Sequence, residues 1–349
     1  VCSSSKSCEQ LPFRLDERVP ARYVSFQVLR NLIHRIGRYG CLSYSAIADR
    51  PIEAIWDVWI KEDGRVMRRA TRYHHLNALK ILGLVRQTPA GYALSPSGQA
   101  IAQLSADDTT PLSPECRRLF REAVCVCEMV RRNFFVLFTG SAERDPWEHG
   151  EPVSLHPIPA QRTYELVCAS WPGRLRLSGE QTLGIIWGLR HWCLALDLVD
   201  EIFIRPQADV ESDRANIIFP VDVDRAGEIT VEHFDGVLCR HLLQAEPIYG
   251  DTVAISIPLL FYRLCPAERI PVESAKSLLR RWLLQYPEHA FVEAPSFSVL
   301  EAGRFRRGPS REVWRKQEEA FLMLGDRVYS RLLVSRALWS VKGGLYPCQ

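Results

Sequence analysis

Between residues 23 and 104 the apolar positions fall into blocks whose spacing switches from helical to alternating and back. Val24, Val28, Leu29, Leu32, Ile33 and Ile36 recur at three- and four-residue intervals, which predicts an amphipathic helix closed by Gly37 and Gly40. Ser43 or Ser45 can cap a second helix holding Ala46, Ile47 and Ala48, with Trp56–Ile60 continuing or following it and Glu62-Asp63-Gly64 as a turn. A third helix is expected from about Met67 to Leu82, burying Leu76, Leu79 and Leu82 and stopped by Gly83. Leu84–Thr88 and Tyr92–Leu94 flank Pro89-Ala90-Gly91 and predict a hairpin. Ser95-Pro96-Ser97-Gly98 then opens a short helix through Ala100, Ile101 and Leu104.

Beyond a linker over residues 105–114, the spacing predicts a helix over Glu115–Phe138 and a loop over 140–160. A further helix from Ser178 carries Leu183, Ile186, Trp187, Leu189, Trp192, Cys193 and Leu196. It runs into Leu194–Val199, then two strand candidates, Ile202–Pro206 and Asn216–Pro220. That order echoes the helix, Leu-Val and hairpin around Ile81–Val85, so residues 178–221 are a candidate for a divergent repeat. Val253–Leu260 is a strand candidate, Val272–Tyr286 an amphipathic helix, and Phe291-Val292 the start of a strand. From Arg304 onward, Trp314, Phe321, Leu322, Leu324, Val328, Leu332 and Leu333 are read as a basic helical tail over 303–349.

Charge divides the chain more sharply than its net value of +3 implies. Residues 1–104 are net +7, residues 105–302 net −10 and residues 303–349 net +6. Basic ends around an acidic middle point to a polyanionic partner or to each other's neighbour. Arginine outnumbers lysine 38 to 6, a ratio that a GC-rich genome explains more readily than phosphate binding. The 11 cysteines are scattered; Cys125 and Cys127 lie in an apolar run without zinc spacing, so they are read as core and no metal is expected. The polar start and the lack of a long apolar run predict a cytoplasmic chain with no membrane span.

A helix that reads DNA must bury one face, carry donors on the other and enter a major groove about 12 Å wide. The helix from Met67 has the residue types for this, with Arg65, Arg68, Arg69, Thr71, Arg72, His74, His75 and Asn77 as candidate contacts. Arg86, Gln87 and Thr88 on the hairpin are candidates for flanking phosphates or minor groove. Arg304, Arg306, Arg307 and Arg311 form a second basic patch, assigned either to phosphates or to the acidic middle of the chain. His74 and His75 are adjacent and point to different sides of a helix, which argues against a shared metal.

The string Tyr73-His74-His75-Leu76-Asn77-Ala78-Leu79-Lys80-Ile81-Leu82-Gly83-Leu84-Val85 resembles the end of the recognition helix in winged-helix regulators of the ArsR and MarR type. Gly91-Tyr92-Ala93-Leu94-Ser95-Pro96-Ser97-Gly98 is similar to the return of their wing into a helix. The resemblance covers residues 23–104 and departs from the family in the long span from Ala48 to Met67. Arg72 also stands where such helices often hold an apolar residue. It implies an N-terminal winged helix-turn-helix; with the mixed, mostly helical region read from the residues over 115–302, which includes the candidate second winged-helix-like unit, the expected fold class is α+β. It further implies a double-stranded DNA partner and no cofactor.

No phosphate loop, Gly-x-Ser-x-Gly elbow or His-Glu-x-x-His stands in the chain, so no catalytic residue is expected and the reading at this point is of a protein that is not an enzyme. Asp209, Glu211 and Asp213 with Asp222 and Asp224 admit a metal-dependent nuclease reading, but suit a solvated hairpin rim better. The leading role is a DNA-binding transcriptional regulator; the alternatives are a non-catalytic recognition subunit of a phage-defence (antiviral) or DNA-modification system, and a metal-dependent nuclease with a site in 180–260. Residues 115–302 would serve a homodimer or a protein partner.

Overall fold

The computed structural model describes residues 23–61, 63–104, 112–154, 160–171, 178–204, 216–243, 247–294, 320–335 and 337–338. It is a mixture of helices and antiparallel sheets, an α+β arrangement. Two compact units emerge, one of Val1–Met129 with Trp171–Trp192 and one of Val130–Ser170 with Cys193–Gln349. No described helix is long and apolar enough to cross a membrane.

In the first unit α1 (Phe26–Tyr39) starts at Ser25, whose hydroxyl accepts a hydrogen bond from the Val28 amide, and ends at Gly40 with φ 73°. Its apolar stripe is wholly buried at Leu29, Leu32, Ile33 and Ile36. A π-helical turn, Ser45–Asp49, and a short α2 (Glu53–Trp56) follow. A 3₁₀ turn, Asp57–Trp59, sets Trp59 fully inside, where its indole N–H donates to the Ile47 carbonyl at 2.8 Å. Ile60 bridges Val66, and the Met67 amide donates to the Trp59 carbonyl at 2.8 Å, so the long span is a folded excursion. Next come α3 (Arg69–Ile81), β1 (Val85–Thr88), β2 (Gly91–Leu94) and α4 (Pro96–Ala102), with β1 and β2 antiparallel. Residue 42 joins the hairpin through two hydrogen bonds with Tyr92, of 3.0 and 2.8 Å. Gly91 permits that approach: its φ is +139°, and a Cβ there would collide with the Leu42 carbonyl. α5 (Pro114–Val126) closes this core, Phe120 meeting Phe26 edge to face at 5.1 Å.

The expected long helix over Glu115–Phe138 is broken: α5 gives way at Cys127 to α6 (Glu128–Val130), a π-helical turn Arg131–Phe135 and α7 (Val136–Thr139). The expected loop over 140–160 holds α8 (Pro146–His149) and β3 (Val153–Ser154). After α9 (Ala160–Ser170) and α10 (Gly179–Ala195), β4 (Val199–Phe203) and β5 (Asn216–Pro220) form a three-stranded sheet in the order β3-β5-β4.

The second unit continues with α11 (Val223–Glu228), α12 (Val231–Leu243), β6 (Pro247–Tyr249), β7 (Thr252–Ser256), α13 (Ile257–Glu268), α14 (Val272–Gln285) and β8 (Ala290–Glu293). It ends, among the described elements, with β9 (Leu322–Leu324), β10 (Arg327–Tyr329) and β11 (Arg331–Ser335). β6-β7-β11-β8 is a four-stranded sheet. Its inner face shares one core with α12, α13 and α14, centred on Trp282, whose indole donates to Asp235 at 2.8 Å. The second half of the Val253–Leu260 candidate is therefore helix, because Pro258 sits comfortably in a first helical turn. The helical tail is also corrected: Leu322, Val328, Leu332 and Leu333 lie in strands, and Leu332 and Val334 bury at alternate positions.

The helix-and-hairpin echo has matching hydrogen bonds. After α3, Gly83 (φ 67°) is left-handed and the Leu84 amide bonds the Leu79 carbonyl at 2.9 Å; after α10, Asp197 (φ 55°) is left-handed and the Leu198 amide bonds the Cys193 carbonyl at 2.9 Å. Each hairpin then returns to the same leucine: Ser95 donates to the Leu84 carbonyl and Val221 to the Leu198 carbonyl, both at 3.0 Å. Ser95 and Asp222 respectively cap the helix that follows. The order α12, β6, β7, α13 is a third helix-hairpin-helix succession. The boundary between the compact units falls inside α10.

Candidate nucleic-acid interface

Helix α3 begins without a side-chain cap, since its N-cap residue is Arg68, and it has no acidic residue in its first turn. The open amides and the aligned peptide dipoles of such an end favour an anion. Arg68 and Arg69 are exposed there; Arg69 Nε lies 2.8 Å from an Asp49 carboxylate oxygen. Arg65 is exposed on the excursion just before the helix, 3.7 Å from Asp63. On the hairpin, Arg86 and Gln87 are exposed at neighbouring positions of β1.

The remaining candidates of the helix divide differently from the sequence-based expectation. Arg72 is buried, its Nε donating to the Ala48 carbonyl at 2.7 Å and its Nη2 to the Asp49 carbonyl at 3.3 Å. It neutralises the carbonyl end of the π-helical turn instead of facing outward. The helical period explains why: Arg72 lies four and seven residues before Leu76 and Leu79, on their face of α3.

His75 is also inside. The Ser25 amide donates to its Nε2 at 3.2 Å, and its Nδ1 donates to the Thr71 carbonyl at 2.8 Å, which fixes a neutral ring. Its ring meets that of Trp59 edge to face at 5.9 Å. Burial lowers the His75 pKa, the Thr71 hydrogen bond opposes this, and the neighbouring His74 adds to the lowering. Asn77 is buried as well. Arg72, His75 and Asn77 are thereby corrected from DNA contacts to parts of the core.

Thr71 is half-buried and lends its carbonyl to His75, while His74 is partly exposed. Thr88 is half-buried at the end of β1, its hydroxyl donating to the Gly91 carbonyl at 3.0 Å. The patch of Arg304, Arg306, Arg307 and Arg311 lies outside the described residues, as do Asp209, Glu211 and Asp213. Asp222 of the nuclease alternative caps α11, accepting from the Asp224 and Arg225 amides at 3.1 Å each.

Four residues absent from the sequence-based set border the same surface. Tyr73 lies one turn beyond Arg69 on α3, and its ring meets Tyr44 edge to face at 6.1 Å. Lys80 near the end of α3 places its ammonium 5.7 Å from the centre of the Tyr92 ring. The i, i+4 relation of Arg69 and Tyr73 was the available signal; Tyr44 and Tyr92 join them only through the bridge at Leu42.

The other two helices of the repeated order differ. Arg190 of α10 is buried over the Trp187 ring, its CZ 4.7 Å from the ring centre, and among the described residues α10 exposes no lysine or arginine. On α12 Arg240 is exposed. Among the described residues no group of three or more His, Cys, Asp or Glu is placed to hold a metal ion.

No family model matches this chain, and no curated protein matches it. Among solved structures it is similar to that of the restriction endonuclease FokI, with a TM-score of 0.37 and 11% identity. The match covers 89% of this chain and 62% of the other, so less than two thirds of that protein's length is represented. A TM-score this low carries no residue roles across. The expectation of a protein that is not an enzyme is nonetheless corrected, because the structure found similar is that of an endonuclease.

Proposed function

We propose that the first unit binds duplex DNA as a winged helix, the N-terminal turn of α3 entering the major groove and the β1–β2 hairpin lying along the flanking backbone. The observation that carries this is the pairing of an uncapped, arginine-bearing helix start at Arg68 and Arg69 with an exposed Arg86 and Gln87 on the hairpin. Arginine matches guanine and phosphate acceptors in pairs, which makes these residues suited to both base and backbone contact. The helix, hairpin and helix order agrees with the ArsR and MarR resemblance of residues 23–104. Transcriptional regulation is one use of such a domain. The size of the second unit, with a core of its own, supports a component of a DNA-processing system over a compact regulator.

Incubation of the full chain with a pool of random duplexes, followed by sequencing of the retained fraction, tests this reading. The expected result is an enriched site, with Arg68→Ala and Arg69→Ala weakening retention while leaving the thermal midpoint in place. A pool recovered unchanged and unretained overturns it. Supercoiled plasmid incubated with magnesium or manganese in the same buffer reads out cleavage directly.

A further inference from the structure

We propose that Arg69 reads a guanine in the major groove and that Asp49 is the positioning residue that holds it for this contact, an inference that rests on the DNA-binding reading above. Three exposed arginines stand at or just before the start of α3, and they are held differently. Arg65 Nε lies 3.7 Å from Asp63, with the two side chains 84% and 53% exposed. Among the described residues no carboxylate pairs with Arg68. Arg69 Nε lies 2.8 Å from Asp49 Oδ1, and that carboxylate is only 31% exposed. Of the three guanidiniums, this one is tied to an anchored group.

The anchor is built from α3 itself. Asp49 closes the π-helical turn Ser45–Asp49. Arg72, three residues after Arg69, donates to the Ala48 carbonyl of that turn at 2.7 Å and to the Asp49 carbonyl at 3.3 Å. Two arginines of one helix thus hold one turn, Arg72 by its backbone from inside and Arg69 by its carboxylate at the surface. That gives the buried Arg72 a task an apolar residue cannot perform, since only a donor fixes those carbonyls and with them Asp49.

The carboxylate also decides which acceptor Arg69 suits. Asp49 offsets the Arg69 charge and opposes a phosphate drawn to the open start of α3. An arginine serving phosphate alone would bind better without such a neighbour. A base edge carries no net charge and is read by geometry, for which a fixed guanidinium matters more than its charge. Arg69 has no further polar partner among the described residues, which leaves its paired Nη donors for the O6 and N7 of guanine. It is also the first residue of α3, the part of a recognition helix that meets base edges.

The test uses the duplex enriched by the full chain, and copies of it with each base pair replaced singly, titrated by fluorescence anisotropy below every melting transition. One guanine is expected whose replacement weakens binding by the unaltered chain ~5- to 150-fold. Arg69→Lys keeps the charge and removes the fork, so the penalty at that pair should vanish while the salt slope stays. Asp49→Asn keeps the shape and removes the charge. The penalty at the same pair should then shrink by ~2- to 12-fold, while the other penalties hold and affinity for an unrelated duplex does not fall. Equal weakening on every duplex in Asp49→Asn, or a penalty that it leaves intact, overturns the positioning role. Arg69→Lys alters only an exposed side chain and keeps the test open should Asp49→Asn fold poorly. A chain that binds duplex yet is indifferent to every guanine, or penalties unchanged in folded Arg69→Lys, overturns the guanine contact and leaves DNA binding standing. Failure of the unaltered chain to bind any duplex overturns the underlying reading, and the guanine contact with it.

Discussion

Replacing Arg72 by Ala separates a structural arginine from its exposed neighbours on the same helix. Its guanidinium donates to the Ala48 carbonyl at 2.7 Å in a buried setting and to the Asp49 carbonyl at 3.3 Å. Hydrogen bonds from a charged donor contribute about 1.5–3 kcal/mol each, and the longer one belongs at or below the lower end. Alanine also leaves the Ala48 carbonyl without this partner inside the core and removes the favourable charge at the carbonyl end of the π-helical turn. The expected cost is roughly 2–4 kcal/mol. For a unit of this size that corresponds to a fall in Tm of roughly 5–15 °C. Arg68→Ala removes an exposed side chain, and Arg69→Ala breaks a surface ion pair with Asp49 that contributes about 0–1 kcal/mol. Those two variants should melt near the unaltered chain and lose DNA affinity. Thermal unfolding followed by circular dichroism, with duplex binding measured well below every transition, distinguishes the two classes. An Arg72→Ala variant that melts like the unaltered chain, yet loses DNA affinity as Arg68→Ala does, would contradict a structural role for Arg72.

Three further outcomes follow from the geometry. Because the folded state lowers the His75 pKa below 6.5, the unfolded chain takes up the proton first on acidification. The stabilisation from neutral His75 is full above about pH 6.5 and declines as pH falls from there toward the lowered value. His75→Gln should flatten that decline, and an unaltered pH profile of Tm would count against it. Asp200 works with the opposite sign: burial raises its pKa from 3.8 to about 6, against the opposing hydrogen bonds from the Val272 and Glu201 amides. Stability of the second unit should fall as pH rises from 3.8 to 6 and then level, by about 3 kcal/mol at most. Asp200→Asn should reduce that negative slope in denaturant titrations, and a slope kept intact contradicts the assignment. Gly91→Ala would strain a φ of +139° and press on the Leu42 carbonyl. A cost of ~1–3 kcal/mol and faster exchange of the Tyr92 amide are expected, against unchanged exchange if the approach is loose.

The helical and hairpin pattern of residues 23–104 was legible because each apolar stripe belongs to one element with a clear stop. Gly83 after α3 and Pro89-Ala90-Gly91 between β1 and β2 are local signals that need no tertiary knowledge. The side-chain directions on α3 were less accessible, since residue type competed with period. Arg72 and His75 carry donors, yet they share the face of Leu76 and Leu79, and partners from residues 48, 49 and 25 satisfy them inside. Those partners lie 23 to 50 positions away and leave no local trace. The Tyr44, Tyr73 and Tyr92 grouping escaped for the same reason. In the tail, helical spacing was counted across Leu322, Val328 and Leu332, which belong to three separate strands. Within each strand the alternation is only three to five residues long, too short to outweigh a longer apparent helical run.

A salt titration of duplex binding tests the exposed arginines most directly. The unaltered chain is compared with a variant carrying Ala at residues 65, 68, 69 and 86, after both are shown to melt alike. A linear fall of log Kobs with log salt is expected in the unaltered chain, with a slope smaller by about 2–4 in the variant. Equal slopes in two folded proteins would contradict it.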